Sequence, residues 1–289
     1  MLSFGQRLEA VFESRGRLCV GIDPHPFLLE QWGLPDSAVG VREFGLRVVD
    51  AAAGVIGILK PQVAFFERHG SAGYAALEAV LDAARTAQLL VIADVKRGDV
   101  GTSVAAYAEA WLTPGGPLEA DAMTISAYQG VGSIAGPVEH ARVSGKGLFV
   151  LAATSNPEAV APQTAIISAG VFGGDTVAAG IVNEVQTLNA TATGLGLTTT
   201  GLGDIGVVIG ATVALGDYGI DTGSLLKTPI LGPGFGEQGA MFSDIASIYG
   251  EVADNVIVAV SRAILRSGPQ GIDAAIAGHA ALLAEATAR

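Results

Sequence analysis

A chain of 289 residues in which 50% are hydrophobic and only 15% are charged is too apolar to be disordered, because disorder requires low hydrophobicity and high charge. The formal net charge of −12 argues against non-specific binding to nucleic acid, which depends on a surplus of lysine and arginine. It still permits a small anionic ligand, since a local basic pocket can exist in an acidic protein. The length predicts one large domain over residues 1–289.

The single cysteine, Cys19, excludes an internal disulfide and any multi-cysteine metal site. It lies in an apolar run, which predicts a buried and unreactive thiol. The longest uncharged stretch, between Glu184 and Asp204, is too rich in threonine, asparagine and glycine to be a membrane-spanning helix. The first residues lack the basic and then apolar pattern of a signal peptide. We therefore expect a soluble, cytoplasmic protein without a membrane partner.

Apolar runs and helical patterns alternate along the chain. Eight short runs have the continuous hydrophobicity of strands that are buried on both faces: 18–24, 55–62, 89–97, 122–129, 147–155, 205–211, 229–235 and 255–262. Segments with the 3.6-residue period of amphipathic helices precede, separate and follow them: 3–14, 41–53, 72–87, 104–112, 132–143, 175–188, 240–253 and 272–287. The first of these begins with Ser3 and Gln6 in the spacing of a capping box.

This alternation over about 250 residues is typical of an α/β fold of the (β/α)8 (TIM) barrel type. The alternative is an open doubly wound sheet, in which a glycine-rich turn would follow the first strand. Here that turn reads Asp23-Pro-His-Pro, which favours the barrel. Two long connections, 154–174 and 212–228, have the length of functional loops. The composition of residues 195–203 is typical of a mobile linker.

Charged residues are concentrated at one place in this charge-poor chain. Catalytic residues of such barrels lie at the C-terminal ends of the strands. The first three predicted strands end in Asp23, Lys60, Asp94, Lys96 and Asp99. Asp94 and Lys96 are two apart on one strand, so their side chains point to the same face. Neighbouring carboxylates favour the protonated lysine, which indicates a proton donor rather than a Schiff-base lysine. The alternative is an ion-pair cluster that only fills the barrel, at a cost in desolvation.

A second polar region lies after the seventh and eighth strands, where such barrels commonly bind phosphate. Residues 232–239 read Gly-Pro-Gly-Phe-Gly-Glu-Gln-Gly, and glycines allow a backbone to approach an anion closely. Arg262 stands at the predicted end of the eighth strand and is suited to bidentate phosphate binding. The alternative is a tight turn with a surface arginine. The four histidines share no metal-ligand spacing and are expected at the surface or behind the site: His25, His69, His140 and His279.

Taken together, these residues resemble the orotidine 5′-phosphate decarboxylase family, in its longer bacterial subgroup. The centre of the resemblance is the signature Asp94-x-Lys96-x-x-Asp99, extended by the segments GIDPHP, LKPQVAFFERHG and VIADVKRGDVGTS. A wider superfamily shares the signature alone, and Lys60, the PGFGEQG loop and Arg262 make it specific. The resemblance implies decarboxylation of orotidine 5′-monophosphate to UMP and CO2 in pyrimidine biosynthesis, without a metal or organic cofactor.

The resemblance also implies a role for each catalytic residue. Lys96 would deliver the proton to C6 of the pyrimidine, and Asp94 would lie against the departing carboxylate. Lys60 would order this network and contact the ribose. Asp99 and Ser103 would reach the site of the neighbouring subunit in a homodimer, with Thr102 as the rival of Ser103.

Four further residues would bind the substrate, a nucleoside monophosphate. The resemblance assigns Asp23 to a ribose hydroxyl, Ser155 to the pyrimidine, and Gln238 and Arg262 to the phosphate. Two other functions stay open from the sequence. One is a metal-dependent sugar-phosphate decarboxylase or hexulose-phosphate synthase of the same superfamily, and the other is a non-catalytic barrel that binds nucleotide phosphates.

Overall fold

Eight parallel strands form a closed barrel in the computed structural model, which describes residues 2–194 and 201–288. Each strand pairs with its neighbour in sequence, and the first pairs with the last. This closure confirms the (β/α)8 barrel and excludes the open doubly wound sheet. The strands are β1 (Leu18–Ile22), β2 (Ile58–Pro61), β3 (Leu90–Arg97), β4 (Ala122–Ile125), β5 (Gly147–Ala153), β6 (Ile205–Ile209), β7 (Ile230–Pro233) and β8 (Val256–Val260).

Helices connect the strands and surround the barrel. In the described ranges they are α1 (Phe4–Arg15), α2 (Pro26–Gln31), α3 (Ala38–Ala52), α4 (Ala64–Glu67), α5 (Gly70–Thr86), α6 (Gly101–Leu112), α7 (Ala135–Val143), α8 (Val160–Gln163), α9 (Val177–Gly194), α10 (Ile245–Tyr249), α11 (Arg262–Leu265) and α12 (Ile272–Thr287). The predicted capping box at Ser3 and Gln6 starts α1. None of the helices in this part of the chain is long and apolar enough to cross a membrane.

Several predicted boundaries are wrong; β4, for example, ends at Ile125 and not at Gln129. Two others have a clear local reason. The predicted helix 240–253 is only the short α10, because Gly250 adopts a φ of +56° and ends it. 3-10 turns flank α10 on both sides. Arg262 is not part of β8 but the first residue of α11, since the strand ends at Val260. Residues 195–200 of the predicted linker lie outside the described residues.

The apolar side chains form one cluster inside the barrel and another between the strands and the helices. Helix α1 closes the N-terminal end of the interior, where Phe4 packs edge-on against Phe149 with ring centroids 5.9 Å apart. Cys19 lies in this interior and is buried as predicted, and burial raises the pKa of its thiol to about 12. Because this end is filled, a ligand reaches the interior from the C-terminal ends of the strands.

Candidate active site

A cavity of about 860 Å³ opens at the C-terminal ends of the strands. It is lined by the predicted site residues Asp23, Lys60, Asp94, Lys96, Ser155, Gln238 and Arg262. The barrel topology brings them together, because in a parallel barrel all strands end at the same rim. Most of the sequence-predicted site therefore converges on one cavity in a single chain.

The carboxylate of Asp94 is the centre of the cluster. Its Oδ1 atom lies 2.6 Å from Nζ of Lys96 and accepts a hydrogen bond of 2.9 Å from the Thr124 hydroxyl. Its Oδ2 atom lies 3.1 Å from Nζ of Lys60 and accepts a hydrogen bond of 2.9 Å from the Gln62 amide. Each oxygen thus receives one ammonium group and one neutral donor, which satisfies a carboxylate that is only 7% exposed.

Opposite charges keep the buried Asp94 and Lys60 ionised. Burial by itself would raise the pKa of Asp94, but Lys60 and Lys96 outweigh it and hold that pKa well below its usual range. Burial would likewise lower the pKa of Lys60, but Asp94 and Asp23 outweigh it and raise the pKa above its usual value. The site therefore presents fixed charges before any substrate arrives.

Lys96 reaches Asp94 through an irregular backbone and not through simple strand alternation. Its φ is +48°, in the left-handed region that a lysine seldom adopts. The pairing of β3 with β4 shifts register here: Ala93 pairs with Met123, but Arg97 pairs with Ile125. The side chains of Asp94 and Lys96 lie on the same face, as predicted. They do so through the bulge in β3 and not through the regular alternation of a strand. The half-exposed Lys96 side chain projects into the cavity.

Asp99 and Ser103 do not line this cavity. Asp99 follows β3, and its Oδ1 accepts a hydrogen bond of 2.8 Å from the Val100 amide. Ser103 and the neighbouring Thr102 lie exposed in the first turn of α6. Within one chain the charged cluster therefore consists of Lys60, Asp94 and Lys96, and Asp99, the last residue of the signature, does not line the cavity.

The loop after β7 and the start of α11 form the other side of the cavity. Gly234 and Gly236 have φ values of +117° and +77°, which explains why glycine is needed at these turns. The loop brings Gln238 to the cavity, and the β8–α11 junction brings Arg262 to it. An amide and a guanidinium that face one cavity are suited to bind an anion.

Sequence reasoning missed several polar residues of the cavity. Thr124 and Gln62 hold Asp94, and the signal for Thr124 was a polar side chain within the buried strand β4. Ser261 also lines the cavity. Within the described part of the chain, its hydroxyl oxygen and Oδ1 of Asp23 are both buried without a hydrogen-bond partner.

His25 lies at the cavity, where its ring packs edge-on against Phe65 at 4.3 Å and stacks on Phe27 at 5.4 Å. Burial lowers its pKa, and Arg262 adds to this effect while Asp23 opposes it. Across residues 2–194 and 201–288, no three His, Cys, Asp or Glu side chains converge to hold a metal ion.

A (β/α)8 barrel with a lysine–aspartate–lysine cluster at its C-terminal rim, in which Lys60 and Asp94 are buried, belongs to the class of barrel enzymes that work at this rim. The chain matches the model of the orotidine 5′-phosphate decarboxylase / HUMPS family over residues 16–275, and it belongs to this family. This confirms the family that the sequence motifs indicated.

Individual relatives agree with this assignment. A Salinispora arenicola protein named orotidine 5′-phosphate decarboxylase is 46% identical over 269 residues, covering 93% of this chain and 92% of the relative. A Nocardioides protein of the same name is 46% identical over 266 residues, covering 92% and 93%.

Solved structures share the fold. A Streptomyces avermitilis crystal structure, provisionally assigned to the same enzyme, is 42% identical with a TM-score of 0.91 and covers 100% of this chain and 97% of that one. The Leishmania donovani OMP decarboxylase, 24% identical, shares the fold with a TM-score of 0.76 and 99% coverage of both chains.

Proposed function

We propose that this chain converts orotidine 5′-monophosphate to UMP and CO2, with Lys96 as the proton donor to C6. The observation that carries the proposal is the contact of 2.6 Å between Nζ of Lys96 and Oδ1 of Asp94 inside the cavity. The relatives that are 46% identical over nine-tenths of the chain carry the name of this enzyme.

The chemistry requires charges that are fixed in advance. When the bond between C6 and the carboxylate breaks, the electron pair stays on C6 in an orbital outside the π system, so the ring cannot delocalise it. An ammonium group at C6 stabilises the developing charge electrostatically and then transfers its proton to that carbon. Lys96 would become a neutral amine and recover its proton from solvent. Asp94, beside the departing carboxylate, would hold Lys96 in place.

The remaining cavity residues would bind the nucleotide. Arg262 and Gln238 would bind the phosphate, and Ser155 would contact the pyrimidine. Asp23 and Lys60 would bind the ribose hydroxyls, and the buried Oδ1 atom of Asp23 supports this role because it has no hydrogen-bond partner in the described chain. Phosphate binding far from C6 supplies energy that can drive loop closure and exclude water from the reacting carbon.

We also propose a homodimer in which Asp99 and Ser103, or Thr102 in its place, reach the partner's site. Exposed apolar side chains on the neighbouring loops support this surface, since Val100 is 53% and Tyr128 is 91% exposed. Burial of such side chains favours association. A charged nucleotide does not cross membranes unaided, which fits the cytoplasmic location that we propose.

The metal-dependent sugar-phosphate enzymes of the superfamily are the second candidate, because the matching family includes the HUMPS group. Against them, both oxygens of Asp94 are engaged by two donors each, which leaves this carboxylate poorly suited to a divalent cation. The deciding experiment follows the absorbance of orotidine 5′-monophosphate in the presence of EDTA. Turnover that persists supports the proposal. Absence of turnover with and without added Mg²⁺ would overturn it.

A further inference from the structure

Thr124 makes two hydrogen bonds that connect the main chain of Lys96 to the carboxylate of Asp94. Its Oγ1 accepts from the Lys96 amide at 2.9 Å and donates to Oδ1 of Asp94 at 2.9 Å. The same Oδ1 receives the ammonium of Lys96 at 2.6 Å. These three hydrogen bonds form a closed ring, which connects the backbone amide of Lys96 to its own ammonium group through one hydroxyl and one carboxylate.

The strand pairing explains why a side chain is needed here. Between the pairs Ala93–Met123 and Arg97–Ile125, three residues of β3 face the single residue Thr124 of β4. The regular ladder cannot satisfy all backbone groups of such a bulge. The Thr124 hydroxyl takes the place of the missing carbonyl acceptor for the Lys96 amide, and Thr124 is only 1% exposed.

This contact also supports an unfavourable backbone conformation. Lys96 has a φ of +48°, where a non-glycine residue is strained, so this conformation persists only when the surroundings hold it. The hydrogen bond from the Lys96 amide to the Thr124 hydroxyl fixes the backbone of Lys96. The position of the backbone determines where the lysine side chain begins. A loss of this bond would allow the ammonium to move relative to the substrate.

We propose that Thr124 is a positioning residue, which aims the Lys96 ammonium at the reacting carbon by fixing the backbone of Lys96 and the carboxylate of Asp94 with one hydroxyl. The inference rests on the proposed function and extends it to a residue outside the Asp-x-Lys-x-x-Asp signature. Thr124 lines the cavity, but in this role it acts on the two charged residues and not on the substrate. Its effect passes through Lys96 and Asp94.

The test compares Thr124→Val, which keeps the shape and removes the hydroxyl, with Thr124→Ser, which keeps the hydroxyl. We expect Thr124→Val to lower kcat by about 10- to 100-fold, as a small misplacement of a catalytic group does, while KM and UMP affinity change less than threefold. Thr124→Ser should restore most of kcat. A merely structural role would lower the melting temperature without this split between kcat and KM.

A second measurement does not depend on turnover. Hydrogen exchange of the Lys96 amide, followed by NMR, should be about tenfold faster in Thr124→Val than in the wild type and unchanged in Thr124→Ser. Equal exchange in all three proteins would overturn the contact, and a wild-type kcat in Thr124→Val would overturn the positioning role. If the wild type makes no UMP, the proposed function fails and the positioning role fails with it, while the exchange rates still decide whether Thr124 holds Lys96.

Discussion

The ammonium nitrogen of Lys96 lies 2.6 Å from Oδ1 of Asp94, although only Val95 separates the two residues in the chain. The contact depends on the left-handed turn at Lys96 and on the bulge opposite β4. Asp94 is buried at the bottom of the cavity, and the half-exposed Lys96 extends from it towards the cavity opening. A charge that is oriented in advance costs no reorganisation when the reaction begins.

The first prediction concerns this lysine. Lys96→Ala should reduce kcat by about 10²- to 10⁴-fold, because it removes the proton donor. UMP should still bind, since the proposed phosphate contacts remain. Absorbance assays and calorimetry with UMP measure the two effects. Lys227→Ala, at an exposed lysine, is the matched control and should behave as the wild type. Near-normal turnover of Lys96→Ala would refute the assignment.

The second prediction concerns phosphate recognition. Arg262→Ala should raise KM and weaken UMP binding by about 10- to 100-fold, since a hydrogen bond to a charged group contributes about 1.5–3 kcal/mol. Uridine, which lacks the phosphate, should lose little affinity. Titration calorimetry with UMP and uridine separates these cases, with Arg47→Ala on the outer surface of α3 as control. An equal loss for both ligands would remove Arg262 from the phosphate site.

The third prediction tests whether Asp99 acts across subunits. Asp99→Asn and Lys96→Ala should each be inactive alone. When the two variants are unfolded together and refolded, half of the dimers are mixed and contain one intact site, so about a quarter of the wild-type activity should return. If Asp99 served its own chain, every site would lack one residue and the mixture would stay inactive. Parallel mixtures with Ser103→Ala and Thr102→Val decide which hydroxyl acts with it.

The fourth prediction is a pH dependence of stability. Asp94 has a folded pKa below its unfolded value of about 3.9. Its ionisation therefore stabilises the fold above about pH 4, and this contribution falls as the pH drops towards the folded pKa. Urea unfolding between pH 6 and 3 should show a smaller acid loss in Asp94→Asn than in the wild type. Asp82→Asn, at an exposed carboxylate, should keep the wild-type slope.

The strands and the charged cluster were predictable because each has a direct sequence signal. Buried parallel strands are continuous apolar runs, and charges at their ends are conspicuous in a chain with 15% charged residues. Helix 240–253 was not predictable from periodicity, since one left-handed glycine, Gly250, interrupts it. Thr124 was missed because threonine is common in strands and its partners come from another strand. The separation of Asp99 from Asp94 depends on a backbone turn that spacing alone does not reveal.

The barrel closes where β1 pairs with β8, and this seam joins the earliest strand to the latest one. Asp23 follows β1 and Arg262 follows β8, so the two sides of the seam contribute to the same cavity. During synthesis β1 leaves the ribosome long before its partner exists, and its hydrogen-bonding edge stays open until β8 arrives. The growing chain therefore carries an unpaired strand edge until β8 is synthesised, and the side of the cavity that contains Arg262 is assembled last.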